Sequence, residues 1–195
     1  MMTRKLTMSL AVISILAIAV LLSWKPWQVS GDVPQVGGPI ELSSTNGNFS
    51  LSDLEDDQLA IVFFGYTWCP DVCPMALSVV RQARQALPEG QQQRVVPVLI
   101  SVDPERDTIA RLREYLGFFG DDFIGATGSQ AQLEEIGQRY DAMWRKVDAE
   151  ESESGYTVDH SASLYLVNSE GEVIQRVLHS PTSGPLKAAL DQALN

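Results

Sequence analysis

The chain has 195 residues, of which 14 are lysine or arginine and 25 are aspartate or glutamate, so its formal net charge at pH 7 is −11. An acidic surface of this kind repels nucleic acid and anionic lipid, so we expect no nucleic-acid partner, whereas cationic partners and metal ions are compatible with it. The length allows one domain with a single hydrophobic core.

The N-terminal segment has the pattern of a membrane anchor. Leu6 to Trp24 is an uncharged run of nineteen residues, about 28 Å of helix and close to the roughly 30 Å hydrocarbon core of a bilayer. Arg4 and Lys5 precede the run, so the positive-inside rule places the N-terminus in the cytoplasm. We predict an uncleaved signal-anchor over residues 1–27.

The predicted anchor also gives the location of the protein. A short anchor without a long targeting extension favours a bacterium over a mitochondrion. We therefore expect a single-pass protein of the bacterial cytoplasmic (inner) membrane, whose soluble domain faces the periplasm. A cleaved signal peptide is the alternative, but no small-x-small cleavage site follows the apolar run.

A linker and then one domain follow the anchor. Residues 28–39 contain three glycines and two prolines, a composition that is typical of a linker, and the domain covers residues 40–195. Its first predicted element is a hairpin of Ile40–Leu42 and Phe49–Leu51 with Asn46-Gly47-Asn48 as the turn. The apolar run Leu59–Phe64 predicts a buried strand.

Both cysteines of the chain lie directly after this strand, in the segment Gly65-Tyr66-Thr67-Trp68-Cys69-Pro70-Asp71-Val72-Cys73-Pro74. We predict a helix over Pro74–Leu87, with Asp71 as its cap rather than as a negative charge close to the sulfurs. Both sulfurs then lie near a helix N-terminus, where unpaired N–H groups and the helix dipole favour thiolate. Because residues four apart share one helix face, the pair can bind one small metal ion, or it can close as a disulfide.

Strands and helices alternate along the rest of the domain. The sequence predicts strands at 95–102, 123–126, 163–167 and 172–178, and helices at 107–119, 129–143 and 186–194. Pro97 predicts an edge position or a bulge in the first of these strands, and Asp107 and Ser129 are the expected helix N-caps. The acidic stretch 148–155 predicts a solvated loop.

This alternation, with hairpins at both ends, predicts an α/β fold with a central mixed sheet flanked by helices on both faces. A cysteine motif at the first strand-to-helix junction favours a thioredoxin-like fold.

Three motifs carry a resemblance to a known family. They are Phe64-Gly65-Tyr66-Thr67 with Cys69-Pro70-Asp71-Val72-Cys73-Pro74, then Val102-Asp103-Pro104-Glu105-Arg106-Asp107-Thr108, then Val158-Asp159-His160-Ser161 ahead of Leu164-Tyr165-Leu166-Val167. From about residue 36 to its end, the chain resembles the Sco/SenC family of membrane-anchored copper-binding proteins with a thioredoxin-like fold.

The resemblance implies a ligand set and a biological role. Cys69, Cys73 and His160 fall on the copper ligands of the family, and two thiolates with one imidazole suit Cu(I) or, with a further ligand, Cu(II). The implied role is cytochrome c oxidase assembly, with delivery of copper to the binuclear copper site of subunit II. The expected partners are subunit II, a copper donor protein and a periplasmic thioredoxin-like reductant. We therefore expect a metallochaperone without enzymatic turnover.

A thiol–disulfide oxidoreductase is the main alternative. Cys69 and Cys73 would then form a redox dithiol that reduces the cysteines of the same copper site. Copper binding needs His160, whereas disulfide exchange does not. A thiol peroxidase shares the fold, but no proline lies between Pro39 and Pro70, so the Pro-x-x-x-Thr-x-x-Cys motif of peroxiredoxins is absent.

The sequence leaves the roles of some neighbouring residues open. Asp159 could orient the His160 imidazole or point the other way along the strand. Tyr66 could shield the metal, dock a partner or pack in the core, and Trp68 could shield the metal or dock a partner. We expect His179 to be a surface residue.

Overall fold

The computed structural model describes residues 36–149 and 155–195. The predicted anchor and residues 28–35 of the linker lie outside these ranges. The strands are β1 Glu41–Ser44, β2 Gly47–Ser50, β3 Leu59–Gly65, β4 Val95–Ser101, β5 Ile124–Thr127, β6 Trp144–Asp148, β7 Tyr156–His160, β8 Leu164–Val167 and β9 Val173–Val177. The helices are α1 Val72–Gln85, α2 Glu89–Gln92, α3 Ile109–Leu116, α4 Gln130–Arg139 and α5 Gly184–Ala193. Within the described ranges, no helix combines the length and the apolar character needed to cross a membrane.

Seven strands form one mixed sheet, in the order β2-β1-β5-β4-β3-β8-β9. The central strands β3, β4 and β5 are parallel, and the outer strands join by antiparallel pairing. Every residue of β3 and of β8 is buried, as expected for strands that are covered on both faces. The prediction of an α/β fold with a central mixed sheet is confirmed.

Helices cover both faces of this sheet. On one face, Cys73 of α1 lies against Gly65 at the end of β3, and Leu112 of α3 lies against Gly125 of β5. Helix α5 packs beside α1. On the other face, the ring of Tyr140, which follows α4, lies 5.8 Å from the ring of Phe64. The end of β3 therefore lies beneath the start of α1, where the cysteines are.

Strands β6 and β7 form a second, two-stranded antiparallel sheet in which Trp144 lies opposite His160. This hairpin was not predicted, because the predicted helix ran to Met143 and no strand was expected between residues 126 and 163. Helix α4 instead ends at Arg139, and Asp141 has a left-handed φ of 50°, which interrupts the helix. The acidic stretch connects the two strands, and residues 150–154 of it lie outside the described ranges.

The prediction for Pro97 was wrong, because β4 is a central strand and Pro97 pairs in register with Ile61 of β3. The backbone N–H of Val102 donates to β3, so by alternation the nitrogen of Pro97 faces β5. The pairing of β4 with β5 begins only at Val98. The proline therefore lies just before that ladder, where its missing N–H removes no hydrogen bond.

Two of the predicted helix caps also differ in the structure. The hydroxyl of Thr108, and not the carboxylate of Asp107, caps α3 by accepting from the Arg111 N–H at 3.2 Å. Asp71 occupies the N-cap position of α1, but its side chain makes no capping hydrogen bond. Ser129 is confirmed as the cap of α4, in a full capping box.

Candidate metal centre

The segment between β3 and α1 places the two cysteine side chains at the end of the sheet. Cys73 lies in the first turn of α1 and is fully buried, whereas Cys69 is half-buried in the preceding loop. The backbone N–H of Cys73 donates to the Cys69 Sγ at 3.4 Å. Gly65 makes this packing possible, because a Cβ at that position would lie 2.8 Å from the Cys73 Sγ.

His160, the last residue of β7, brings its imidazole to the same place. Its Nε2 atom lies 3.3 Å from the Cys73 Sγ, and its Nδ1 lies 3.2 Å from the carbonyl oxygen of Ser161. Because a carbonyl oxygen can only accept, this contact places a proton on Nδ1 and leaves Nε2 directed at the sulfurs. The rings of Phe63 and Tyr66 hold the imidazole edge-on, with centroids at 5.7 Å and 5.8 Å.

The three side chains predicted as ligands are therefore brought together. Their two sulfurs and one imidazole nitrogen all lie within 4.8 Å of one another. Protein ligands about 2.0 to 2.3 Å from one ion lie within roughly 4.6 Å of each other. Only small movements would separate this arrangement from a three-ligand site, and the donor atoms are those that soft metal ions prefer.

The two thiols of the metal-free site differ strongly in acidity. Hydrogen bonding from the Cys73 thiol, with help from His160 and backbone N–H groups, lowers the pKa of Cys69 to about 3 despite the opposing effect of burial. The same hydrogen bond to Cys69 raises the pKa of Cys73 far above its usual range, and burial adds to this rise. At neutral pH the pair therefore holds one thiolate, on Cys69, and one proton, on Cys73.

Two aromatic residues of the cysteine loop occupy different environments. Tyr66 is buried, and its hydroxyl accepts a hydrogen bond from the Val158 N–H at 3.2 Å. Trp68 is 46% exposed, and the guanidinium carbons of Arg111 and Arg106 lie 5.4 Å and 6.0 Å from its ring. Tyr66 is therefore a core residue that touches the imidazole, and Trp68 forms the rim of the site.

The other candidate residues lie outside the cluster. The Asp159 carboxylate forms an exposed ion pair with Arg145 at 3.0 Å, so it faces away from the His160 ring. His179 is exposed, as predicted.

Several buried polar residues near the site were not predicted to belong to it. Asp107 is 1% exposed, and its carboxylate accepts from the Thr67 N–H at 2.8 Å, the Thr67 hydroxyl at 2.6 Å and the Ser101 hydroxyl at 2.7 Å. Asp103 is fully buried and bonds to Arg106. The motif from Val102 to Thr108 contained these residues, but its pattern is also that of an ordinary helix start.

A mixed sheet with parallel central strands, and two thiols and an imidazole at a strand-to-helix junction, define a thioredoxin-like protein with the side chains of a metal site. Residues 29–195 match the family model described as SCO1/SenC. The chain belongs to the SCO1/SenC family, as the resemblance predicted.

Individual relatives agree with this assignment. An SCO2-like protein of Rickettsia prowazekii is 33% identical over 144 residues, which are 74% of this chain and 70% of that protein. The structure of Arabidopsis thaliana ScoI with copper bound matches with a TM-score of 0.74 at 32% identity, over 82% of this chain and 98% of that one. BsSco, described as a member of the Sco family of cytochrome c oxidase assembly proteins, shares the fold with a TM-score of 0.62 at 22% identity, over 83% and 94% of the two chains.

Proposed function

We propose that this protein is a copper chaperone that binds one copper ion through Cys69, Cys73 and His160. The observation that carries the proposal is the convergence of two sulfurs and one imidazole nitrogen within 4.8 Å. Thiolate sulfur is the ligand that Cu(I) prefers, and imidazole nitrogen is compatible with both copper oxidation states. The relative from Arabidopsis, whose structure holds copper, supports the choice of metal.

The protonation of the site suits reversible binding. Cys69 offers a thiolate at neutral pH, and the His160 Nε2 points at the sulfurs. Cys73 must release its proton when the metal binds, so binding one Cu(I) liberates about one proton. A partner that returns a proton to this buried thiol would favour release of the metal.

The recipient and the location form the finer part of the proposal. We propose delivery to the binuclear copper site of cytochrome c oxidase subunit II, after loading by a copper donor protein. The family resemblance supports this role. The uncharged segment from Leu6 to Trp24 supports an anchor in the cytoplasmic membrane of a bacterium, with the copper-binding domain in the periplasm.

Reduction of a partner disulfide is the second candidate function, and the single thiolate on half-buried Cys69 favours it. The Cys69 thiolate would attack the partner disulfide, form a mixed disulfide and release one partner thiolate. Cys73 would give its proton to the released partner thiolate and attack the Cys69 sulfur, which frees the second partner thiolate. Two electrons pass to the partner, and Cys69 and Cys73 end as a disulfide. A periplasmic thioredoxin-like reductant would then restore the dithiol.

An anaerobic Cu(I) competition titration of the reduced full chain tests the first function. We expect one tightly bound copper per chain. His160→Ala should weaken binding at least tenfold. His179→Ala alters an exposed histidine outside the cluster, so it is the matched control and should leave binding unchanged. Weak binding that does not depend on His160 would refute the chaperone function. Retained reduction of an oxidised subunit II dithiol by His160→Ala would then favour the second function.

A further inference from the structure

The hairpin that carries His160 does not belong to the main sheet, so other contacts must fix its position. Two hydrogen bonds reach the outer edge of β7. The Tyr66 hydroxyl accepts from the Val158 N–H at 3.2 Å, and the Arg106 Nη1 donates to the Tyr156 carbonyl oxygen at 3.0 Å. The Arg106 guanidinium also stacks on the Tyr156 ring, 3.7 Å from its centroid.

Arg106 is itself held rigidly. Its Nε donates to the carboxylate of Asp103, which is fully buried and also accepts from the Tyr156 hydroxyl at 2.8 Å. The guanidinium therefore bonds to one side chain, bonds to one backbone carbonyl and stacks on one ring. A lysine ammonium has no planar fork, so it cannot satisfy these three contacts together.

Asp107, which follows Arg106 in the chain, holds the cysteine loop. The buried Asp107 carboxylate accepts from both the backbone N–H and the hydroxyl of Thr67, two positions before Cys69. Ser101, at the end of β4, donates to the same carboxylate. Charge-assisted hydrogen bonds of this kind are stronger than neutral ones, and a buried carboxylate that loses its donors is costly.

The backbone connects these two contacts through a tight turn. The N–H groups of Arg106 and Asp107 both donate to the carbonyl oxygen of Asp103, at 3.2 Å and 2.9 Å. Two consecutive residues of this loop therefore contact two different parts of the site. Arg106 contacts the hairpin that ends in His160, and Asp107 contacts the loop that contains Cys69.

We propose that Arg106 and Asp107 are positioning residues that together set the separation between the imidazole and the sulfurs. Arg106 acts through His160, and Asp107 acts through the cysteine loop. The expected effect on copper binding rests on the proposed function. The separate contacts of Arg106 with the hairpin and of Asp107 with the cysteine loop are also present in the metal-free protein.

Hydrogen exchange of the reduced, metal-free full chain tests, without copper, whether Arg106 and Asp107 hold different parts of the site. Arg106→Lys keeps the charge and should accelerate exchange of the Val158 amide at least about tenfold, while the Thr67 amide changes less than about twofold. Asp107→Asn removes acceptor capacity and should give the reverse pattern. Arg145→Lys, at an exposed hairpin position, is the control and should alter neither amide. Equal acceleration at both amides in both variants would overturn the inference.

A double-mutant cycle on Cu(I) affinity tests whether Arg106 acts through His160 and Asp107 acts through the cysteines. Arg106→Lys should weaken binding about tenfold in the wild-type background and less than about twofold in His160→Ala. Asp107→Asn should weaken binding similarly in both backgrounds, since its effect passes through the cysteines. A general loss of structure would instead give equal losses in the two backgrounds for both variants, and that result would refute the assignment.

The two tests also separate this inference from the proposed function. If the wild-type chain binds no Cu(I), the proposed function fails, and the exchange pattern still decides the positioning roles. If Arg106→Lys does not fold, Tyr156→Phe removes the hydroxyl that donates to Asp103 and should accelerate Val158 exchange in the same direction. No change in that variant would contradict the role of the Asp103 and Arg106 contacts.

Discussion

Replacement of Gly65 by alanine should damage both the fold and the metal site, because the space for a Cβ is already occupied. The added carbon would lie 2.8 Å from the Cys73 Sγ and 2.8 Å from the Phe63 Cε1. Ordinary contact begins near 3.4 Å, so each neighbour would have to move by about 0.6 Å. Overpacking of a dense core costs about 1 to 3 kcal/mol, and the lower backbone entropy of alanine returns about 0.5 to 1 kcal/mol.

We therefore expect Gly65→Ala to lower the free energy of unfolding by about 0 to 2.5 kcal/mol, with a central value near 1 kcal/mol, measured by urea denaturation of the reduced protein. Because the displaced atom is a sulfur of the cluster, Cu(I) affinity should fall as well. Gly90→Ala is the matched control, since a Cβ there meets nothing within 4 Å and its helix favours alanine. If Gly65→Ala keeps both stability and Cu(I) affinity, the packing argument for the position of Cys73 is wrong.

Three further outcomes follow from the described contacts. In the reduced, metal-free protein, Cys69 should react with iodoacetamide about as fast at pH 5 as at pH 8, because its pKa is lowered to about 3, whereas Cys73 should stay unmodified. Mass spectrometry after a short pulse distinguishes the two cysteines, and a tenfold rise in the Cys69 rate per pH unit would contradict the assignment of the thiolate to Cys69. Ser129→Ala removes a capping box and should cost about 1 kcal/mol of stability in urea denaturation without changing Cu(I) affinity; unchanged stability would show that the cap contributes nothing. Asp159→Asn breaks an exposed ion pair with Arg145 and should change stability by less than about 1 kcal/mol. A large loss of Cu(I) affinity in a titration would mean that this carboxylate does act on His160.

Local sequence patterns were sufficient to predict the central sheet and the cysteine loop. The apolar run that forms β3 is buried at every position, and a short continuous apolar run in a domain of this size is typical of a buried strand. The helix after Cys69 was predicted two residues late at each end, which is within the usual uncertainty of helix boundaries. These features depend on neighbours in the chain, which is why the sequence alone indicates them.

Strand β6 and the role of Asp107 were not predicted, because both depend on contacts between residues that are far apart in the sequence. Strand β6 alternates weakly, with Arg145 and Lys146 both exposed, and it forms because Trp144 packs on Gly137 and stacks on Phe64. Asp107 was predicted to cap a helix because an aspartate before a helix usually does. Its partner Thr67 lies 40 residues earlier, and no local pattern connects the two positions.

The distance along the chain between Cys73 and His160 gives the proposed copper site a topological consequence. The two residues are 87 positions apart, so a metal that joins them closes a long loop, whereas a disulfide between the cysteines closes only a very short one. In the chain-entropy treatment of cross-links, closure of a loop of that length removes about 4 to 5 kcal/mol of denatured-state entropy, against roughly 2 for the short one. Loaded and oxidised forms of the same protein therefore differ in connectivity as well as in chemistry. Loss of the metal would open a cross-link that spans nearly half of the chain.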